Sequence, residues 1–234
     1  VFSLVSSYTR PTQLESPIRT LTSELPHSAV FSTEVLVVST LDSVQPILHD
    51  GSNHLRCTGW VRLDNFNDLV ERLGLSQDID DLEVVLAAYR KWGVSMLDHL
   101  LGDFSFVVYD FKRQLFFLAK DQLGIRPLFY TVFEGNLIFA TQIDLIKKLL
   151  PIKPEFNLAY ITKELKNYPQ QVEDTCFKSI HRLKPAHYIA LTPNSEIKET
   201  RYWDLNPITL PKLKNPEEYL DLVRSCFIKS VESR

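Results

Sequence analysis

Long hydrophobic runs are missing from this chain. Its apolar stretches are strand-sized, whereas a membrane-spanning helix needs about 20 apolar residues. No Lys/Arg cluster stands out, so neither a nucleic-acid backbone nor an anionic membrane is an expected partner. Cysteine is scarce: Cys57, Cys176 and Cys226 are odd in number, far apart and without metal or redox spacing. They read as buried or incidental thiols in a reduced, cytoplasmic setting. The histidines His27, His49, His54, His99, His181 and His187 show no regular spacing, so no metal is assigned. The opening Val1-Phe2-Ser3-Leu4-Val5 does not read as a secretion signal, and neither a solenoid-length repeat nor a low-complexity tract is seen in the sequence. What remains is ordinary globular composition: 234 residues, 44% hydrophobic and 24% charged, with net charge −3. That is enough chain to bury a real core.

Strand signals dominate. The stretch 29–40 is rich in β-branched and aromatic residues, among them Val30, Phe31, Val35, Val37 and Val38, and predicts extended structure. Phe104 to Tyr109 is apolar at both parities, as in a strand covered on both faces. A turn over Asp110 to Arg113 joins it to Leu115–Ala119 as a hairpin. Glu134-Gly135-Asn136 predicts a second hairpin between 129–133 and 137–140, because Gly and Asn tolerate positive φ. Pro193-Asn194-Ser195 predicts a third.

Two helices stand out. Phe66, Leu69, Val70 and Leu73 repeat at i, i+3, i+4, i+7, with Asp64 or Asn65 placed to cap and Gly74 to stop the helix. Leu82, Val85, Leu86 and Tyr89 repeat the spacing, with Asp80, Asp81 and Glu83 at the end where the backbone dipole favours negative charge. Shorter helices are expected over 143–150 and 158–165. Residues 206–216 hold Pro207, Pro211 and Pro216 without apolar periodicity and read as a linker. Helical spacing returns over 217–231, which implies a face awaiting a further domain.

Two segments carry a resemblance: Trp92-Gly93 through Leu97-Asp98 to Phe106, and Phe117 through Asp121, Gly124, Arg126, Pro127, Leu128, Phe129 and Tyr130. Together they resemble the signature of class II glutamine amidotransferases of the asparagine synthetase superfamily. Gly102, Asp103, Asp121, Gly124, Arg126 and Pro127 are its fingerprint positions. Arg201-Tyr202-Trp203-Asp204 resembles the peptide leaving that domain for an ATP-dependent synthetase domain. Arg62-Leu63-Asp64-Asn65 is more similar to the branch with lasso-peptide cyclases and β-lactam synthetases. The resemblance implies an α+β fold, a four-layer αββα sandwich of two antiparallel sheets of the N-terminal-nucleophile (Ntn) type. It implies a division into an amidotransferase-like domain at 1–205, a linker at 206–216, and the first helix of a synthetase domain at 217–234.

The family's glutaminase needs a cysteine as first residue, whose thiolate attacks the amide and whose own α-amine is the local base. This sequence opens with Val1, which has no nucleophilic atom, so no catalytic residue is assigned. Anchored on Asn65 and Leu69, the family's Asn-Gly-Glu stretch falls on Trp60-Val61-Arg62, which puts Arg62 where a glutamate should receive the substrate ammonium. Asp81 matches the aspartate that meets the same ammonium, though a helix-start acid explains it better, since Asp80 and Glu83 sit there for the same reason. The family's Arg-Leu-Ser stretch falls near Ser39-Thr40-Leu41, without its carboxylate-clamping arginine. The turn from Asp121 to Pro127 reads as architectural, with Gly124 at the bend and Asp121 facing Arg126 across it. No Ser-Gly-Gly-x-Asp-Ser pyrophosphate loop is present, so ATP and magnesium are expected only in a separate synthetase domain.

Three functions stay open. The chain can be a degenerate amidotransferase-like domain partnering a carboxylate-activating synthetase domain. It can be part of a glutamine-hydrolysing asparagine synthetase whose terminal cysteine precedes Val1, or a stand-alone module that binds a peptide or small ligand.

Overall fold

Alternation along β5 (Leu55–Leu63) sorts its side chains onto two faces. Cys57, Val61 and Leu63 join a core with two helices, α1 (Phe66–Leu73) and α2 (Asp81–Trp92). Trp60 and Arg62 have the other parity and look the other way. β6 (Gly102–Asp110) repeats the division: Phe104, Phe106 and Val108 face the helices, whereas Val107 and Tyr109 enter a second core. That second core includes Phe116 and Leu118 of β7 (Leu115–Lys120).

The computed structural model describes residues 2–6, 28–31, 35–39, 48–49, 54–134, 136–192, 196–205, 213 and 215–234. The remaining elements are β1 (Phe2–Ser6), β2 (Ser28–Phe31), β3 (Val35–Ser39), β4 (Leu48–His49), β8 (Phe129–Phe133) and β9 (Asn136–Ala140). After these come α3 (Ile143–Leu149), α4 (Leu158–Leu165), β10 (His181–Arg182), β11 (His187–Leu191), β12 (Glu199–Arg201) and α5 (Pro216–Glu232). A short 3-10 helix, Gly93–Asp98, follows α2.

The strands form two six-stranded sheets, ordered β10-β8-β9-β1-β3-β2 and β12-β11-β7-β6-β5-β4, and every pairing is antiparallel. Leu137 and Phe139 of β9 meet Val107 and Leu118 in the core between the sheets. Ile138 and Ala140 pack against Leu145, Ile146 and Leu149 of α3. The layers are therefore α1/α2, sheet, sheet, α3, as the αββα expectation has it.

Three expectations change. The stretch 29–40 is not one strand: β2 and β3 pair with each other, Ser28 opposite Val38 and Phe31 opposite Val35. Asn65 is the N-cap of α1 but makes no capping hydrogen bond. Its Oδ1 instead accepts from the Leu101 amide at 3.1 Å and its Nδ2 donates to the His99 carbonyl at 2.9 Å, tying α1 to the start of β6. At the β8–β9 turn Glu134 is left-handed, with φ 49°, whereas Asn136 is not, and Gly135 lies outside the described residues. The predicted turn at 193–195 and most of the 206–216 linker lie outside the described residues.

Elsewhere local chemistry decides. Asp80 and Glu83 form a reciprocal capping box that starts α2, and Gly74 closes α1 at φ 67°. At the β6–β7 turn Asp110 Oδ1 accepts from the Lys112 and Arg113 amides. Among the described residues no helix is long and apolar enough to cross a membrane.

Candidate functional site

Sequence spacing alone does not bring Arg62 and Asp103 together; strand register does. They are cross-strand partners in the β5–β6 ladder, and so are Trp60 and Ser105. All four lie on the sheet face turned toward the second sheet.

Arg62 Nη2 donates to Asp103 Oδ2 at 3.1 Å and to Asp64 Oδ1 at 3.0 Å. Asp103 is buried, and its other oxygen accepts from Arg234 Nη2 at 2.8 Å. A third guanidinium covers the neighbouring position: Arg126 Cζ stands 3.0 Å from the centroid of the Trp60 ring. Burial lowers the Arg126 pKa, and Asp103 opposes that shift. Thus three guanidinium groups, those of Arg62, Arg126 and Arg234, and the Trp60 indole gather at this end of the sheet face.

Asp81 stands at the end of the same strand. Its Oδ1 accepts from the Leu63 amide at 2.9 Å, so it fastens the N-terminus of α2 to β5. Burial raises its pKa above the usual carboxylate range, against the hydrogen bond from Leu63 and the charge of Arg62.

The fingerprint residues converge on the start of β6. Gly102 has φ 144°, and a Cβ there would lie 2.0 Å from the Arg62 carbonyl oxygen, so only glycine lets the strands approach. The buried Asp121 accepts amides from Leu123 at 3.1 Å, Ile125 at 2.9 Å and Arg126 at 3.1 Å. Its amide donates to the Phe104 carbonyl at 2.9 Å, which docks the turn on β6. Asp121 therefore grips the backbone of Arg126, while the Arg126 side chain goes to Trp60 instead of pairing across the turn. Gly124 has φ 72°, and a Cβ there would meet Pro185 at 2.7 Å. The exposed Pro127 closes the turn before β8.

The segment 201–204 is anchored too: Tyr202 donates its hydroxyl to the Lys120 carbonyl at 2.8 Å, and its amide donates to the Ala186 carbonyl at 2.9 Å. Lys120 is buried, donates to the Leu183 carbonyl at 3.2 Å, and has its pKa lowered to about 8 by burial. Val1 and residues 40–41 lie outside the described residues, so the terminal position and the clamp position carry no geometry.

Trp60 and Asp64 take part in the site without having been assigned a place in it from sequence, where Asp64 reads as a candidate helix cap. Their signal was period-two spacing with Arg62, which puts all three on one strand face or its immediate extension.

Residues 29–203 match the family described as a glutamine amidotransferase domain. The chain is similar to the amidase chyE of Penicillium rubens, 36% identical over 159 residues that cover 66% of this chain and 23% of that protein. It is also similar to glutamine-hydrolyzing asparagine synthetase 3 of Bacillus subtilis, 33% identical over 126 residues, 53% of this chain and 20% of that protein. The matched region is thus less than a quarter of either relative's length. Among solved structures, glutamine phosphoribosylpyrophosphate amidotransferase from B. subtilis, with ADP and GMP bound, superposes with TM-score 0.57 at 12% identity. It covers 88% of this chain and 49% of its own, a likeness of fold. The chain belongs to the glutamine amidotransferase domain family of the asparagine synthetase superfamily, and its two-sheet sandwich is the Ntn-type α+β fold.

Proposed function

We propose that the chain is the amidotransferase-like domain of an ATP-dependent amide-forming ligase, and that its glutamine pocket no longer receives glutamine. The observation carrying this is Arg62. It sits where the family resemblance expects the glutamate for the substrate ammonium, and it is held there by Asp64 and Asp103. A guanidinium about 4 Å from an ammonium repels it by about 4 kcal/mol at an effective dielectric of 20. Two carboxylates hold Arg62 in place, so it has little incentive to swing away. Arg126 over Trp60 crowds the adjoining position.

On this reading the domain is the structural partner of a carboxylate-activating synthetase domain, on the same polypeptide or another chain. ATP and magnesium belong to that domain, and the amine comes from the substrate, as the resemblance to lasso-peptide cyclases and β-lactam synthetases implies. The relatives named asparagine synthetase support such a partnership, since the chain matches only a fifth to a quarter of their length.

The test is glutamine-dependent ammonia release by the intact protein with its natural N-terminus, with calorimetric titration of glutamine alongside. We expect no release and no binding. Glutamine turnover under these conditions defeats the pseudo-glutaminase reading. Deleting residues 1–205 should lower the melting temperature and activity of the synthetase portion; an unaffected synthetase defeats the structural-partner reading.

A further inference from the structure

A groove of about 730 Å³ opens at the C-terminal end of α3, apart from the Arg62 site. The helix turns Leu145, Ile146 and Leu149 into the core and leaves lysines on the rim. The chain then runs through Pro151, Ile152 and Pro154 to Phe156. Phe156 is 58% exposed and Ile152 is 60% exposed. The Phe156 ring stacks on buried Phe177, with centroids 5.3 Å apart and planes at 22°, so its outer face forms an aromatic floor.

The charge of the groove runs against the molecule. The chain carries a net −3, yet this lining has Lys147, Lys148 and Lys153 against a single Asp144. Asp144 accepts from Lys147 Nζ at 2.9 Å, so these two offset one another and the lining keeps a net charge of +2. Lys147 Nζ also lies 5.5 Å from the Phe177 ring centroid, which puts a cation beside the aromatic floor. Pro151 and Pro154 fix their own φ, so much of the floor is ordered before anything binds. The volume falls in the range of about 300–1,000 Å³ typical of recognition pockets.

We propose that this groove docks an acidic peptide segment of a partner protein. One aromatic or aliphatic side chain seats against Ile152 and Phe156, and flanking carboxylates meet Lys147 and Lys153. The net positive lining selects the sign of the partner. The concave shape favours an extended chain over a flat lipid surface.

Fluorescence anisotropy on the intact protein tests this with a labelled Asp-Glu-Phe-Leu-Asp-Glu peptide. The control is the same peptide with lysine at each acidic position. The acidic peptide should bind at least about tenfold more tightly and weaken in high salt. The double variant Lys147→Glu/Lys153→Glu and the single variant Ile152→Asp should each lose about tenfold or more, with unchanged thermal melts. Absence of binding, equal affinity for the two peptides, or indifference to Ile152→Asp overturns the proposal. Co-sedimentation with phosphatidylserine vesicles that Ile152→Asp abolishes, without peptide binding, overturns it in favour of a lipid surface.

Discussion

Helices α2 and α5 share the same apolar spacing and similar starts, but only one of them is packed. α2 begins with the Asp80–Glu83 capping box and buries Leu82, Val84, Val85, Leu86, Ala88 and Tyr89 on sheet and helix neighbours. α5 begins with Asn215 accepting from the Glu218 amide, Pro216 in the first turn and two acidic residues there. It buries none of its residues, and Leu220 and Phe227 stand about two-thirds exposed. Local signals are thus complete in both helices. Periodicity reports that a face is suited to burial; it does not say what lies opposite. For α2 the answer is β5 and β6. For α5 no cover exists among the described residues, and a synthetase domain is the cover that the proposed function supplies.

The largest test of this contrast is a matched pair of truncations. Leu82→Ala should cost about 2–5 kcal/mol in urea unfolding. Leu220→Ala should stay within about 0.5 kcal/mol. Equal costs would mean that α5 is packed in solution, and the contrast would fail.

A titration sharpens the buried side. Burial holds the Lys120 pKa near about 8 in the folded protein, whereas the unfolded chain keeps its proton to about pH 10.4. Between those values the unfolded state binds more protons, so stability rises with pH, by at most about 1.4 kcal/mol per unit. Lys120→Met should flatten that rise, as read from urea midpoints across the window. An unchanged slope would mean that Lys120 is solvated.

The smallest effect separates the caps. Asp80→Ala should cost about 1 kcal/mol of global stability. Asn215→Ala should leave the unfolding midpoint unchanged and only speed amide exchange in the first turn of α5. A shared loss would join α5 to the cooperative unit.

The sequence made the hairpins, α1 and α2 legible, because each has a local cause: turn residues, caps and a period of 2 or 3.6; the layer order came only through the family resemblance. It did not reveal the break between β2 and β3, since a run of β-branched residues looks the same whether continuous or folded on itself. Spacing leaves Asp64 and Asn65 as alternative caps of α1; Asn65 takes the position, but its side chain serves Leu101 and His99, contacts set by tertiary neighbours. The site divides in the same way. Arg62, Asp81 and Asp103 were all singled out from the resemblance, whereas the Arg62–Asp103 pair needed the strand register. Arg126 was expected to face Asp121, and its position over Trp60 depends on the path of a turn no propensity encodes.

Gly102 has one further consequence. The frame around Arg62 is held by backbone: the close approach at Gly102, the amides gripped by Asp121, and the Leu63 amide held by Asp81. None of these uses the side chain at position 62. Such a frame lets the side chains facing the cleft be exchanged while the strands keep their places. A lineage can therefore lose or reverse the chemistry of this pocket without losing the fold, and a designer can rewrite it from the same few positions.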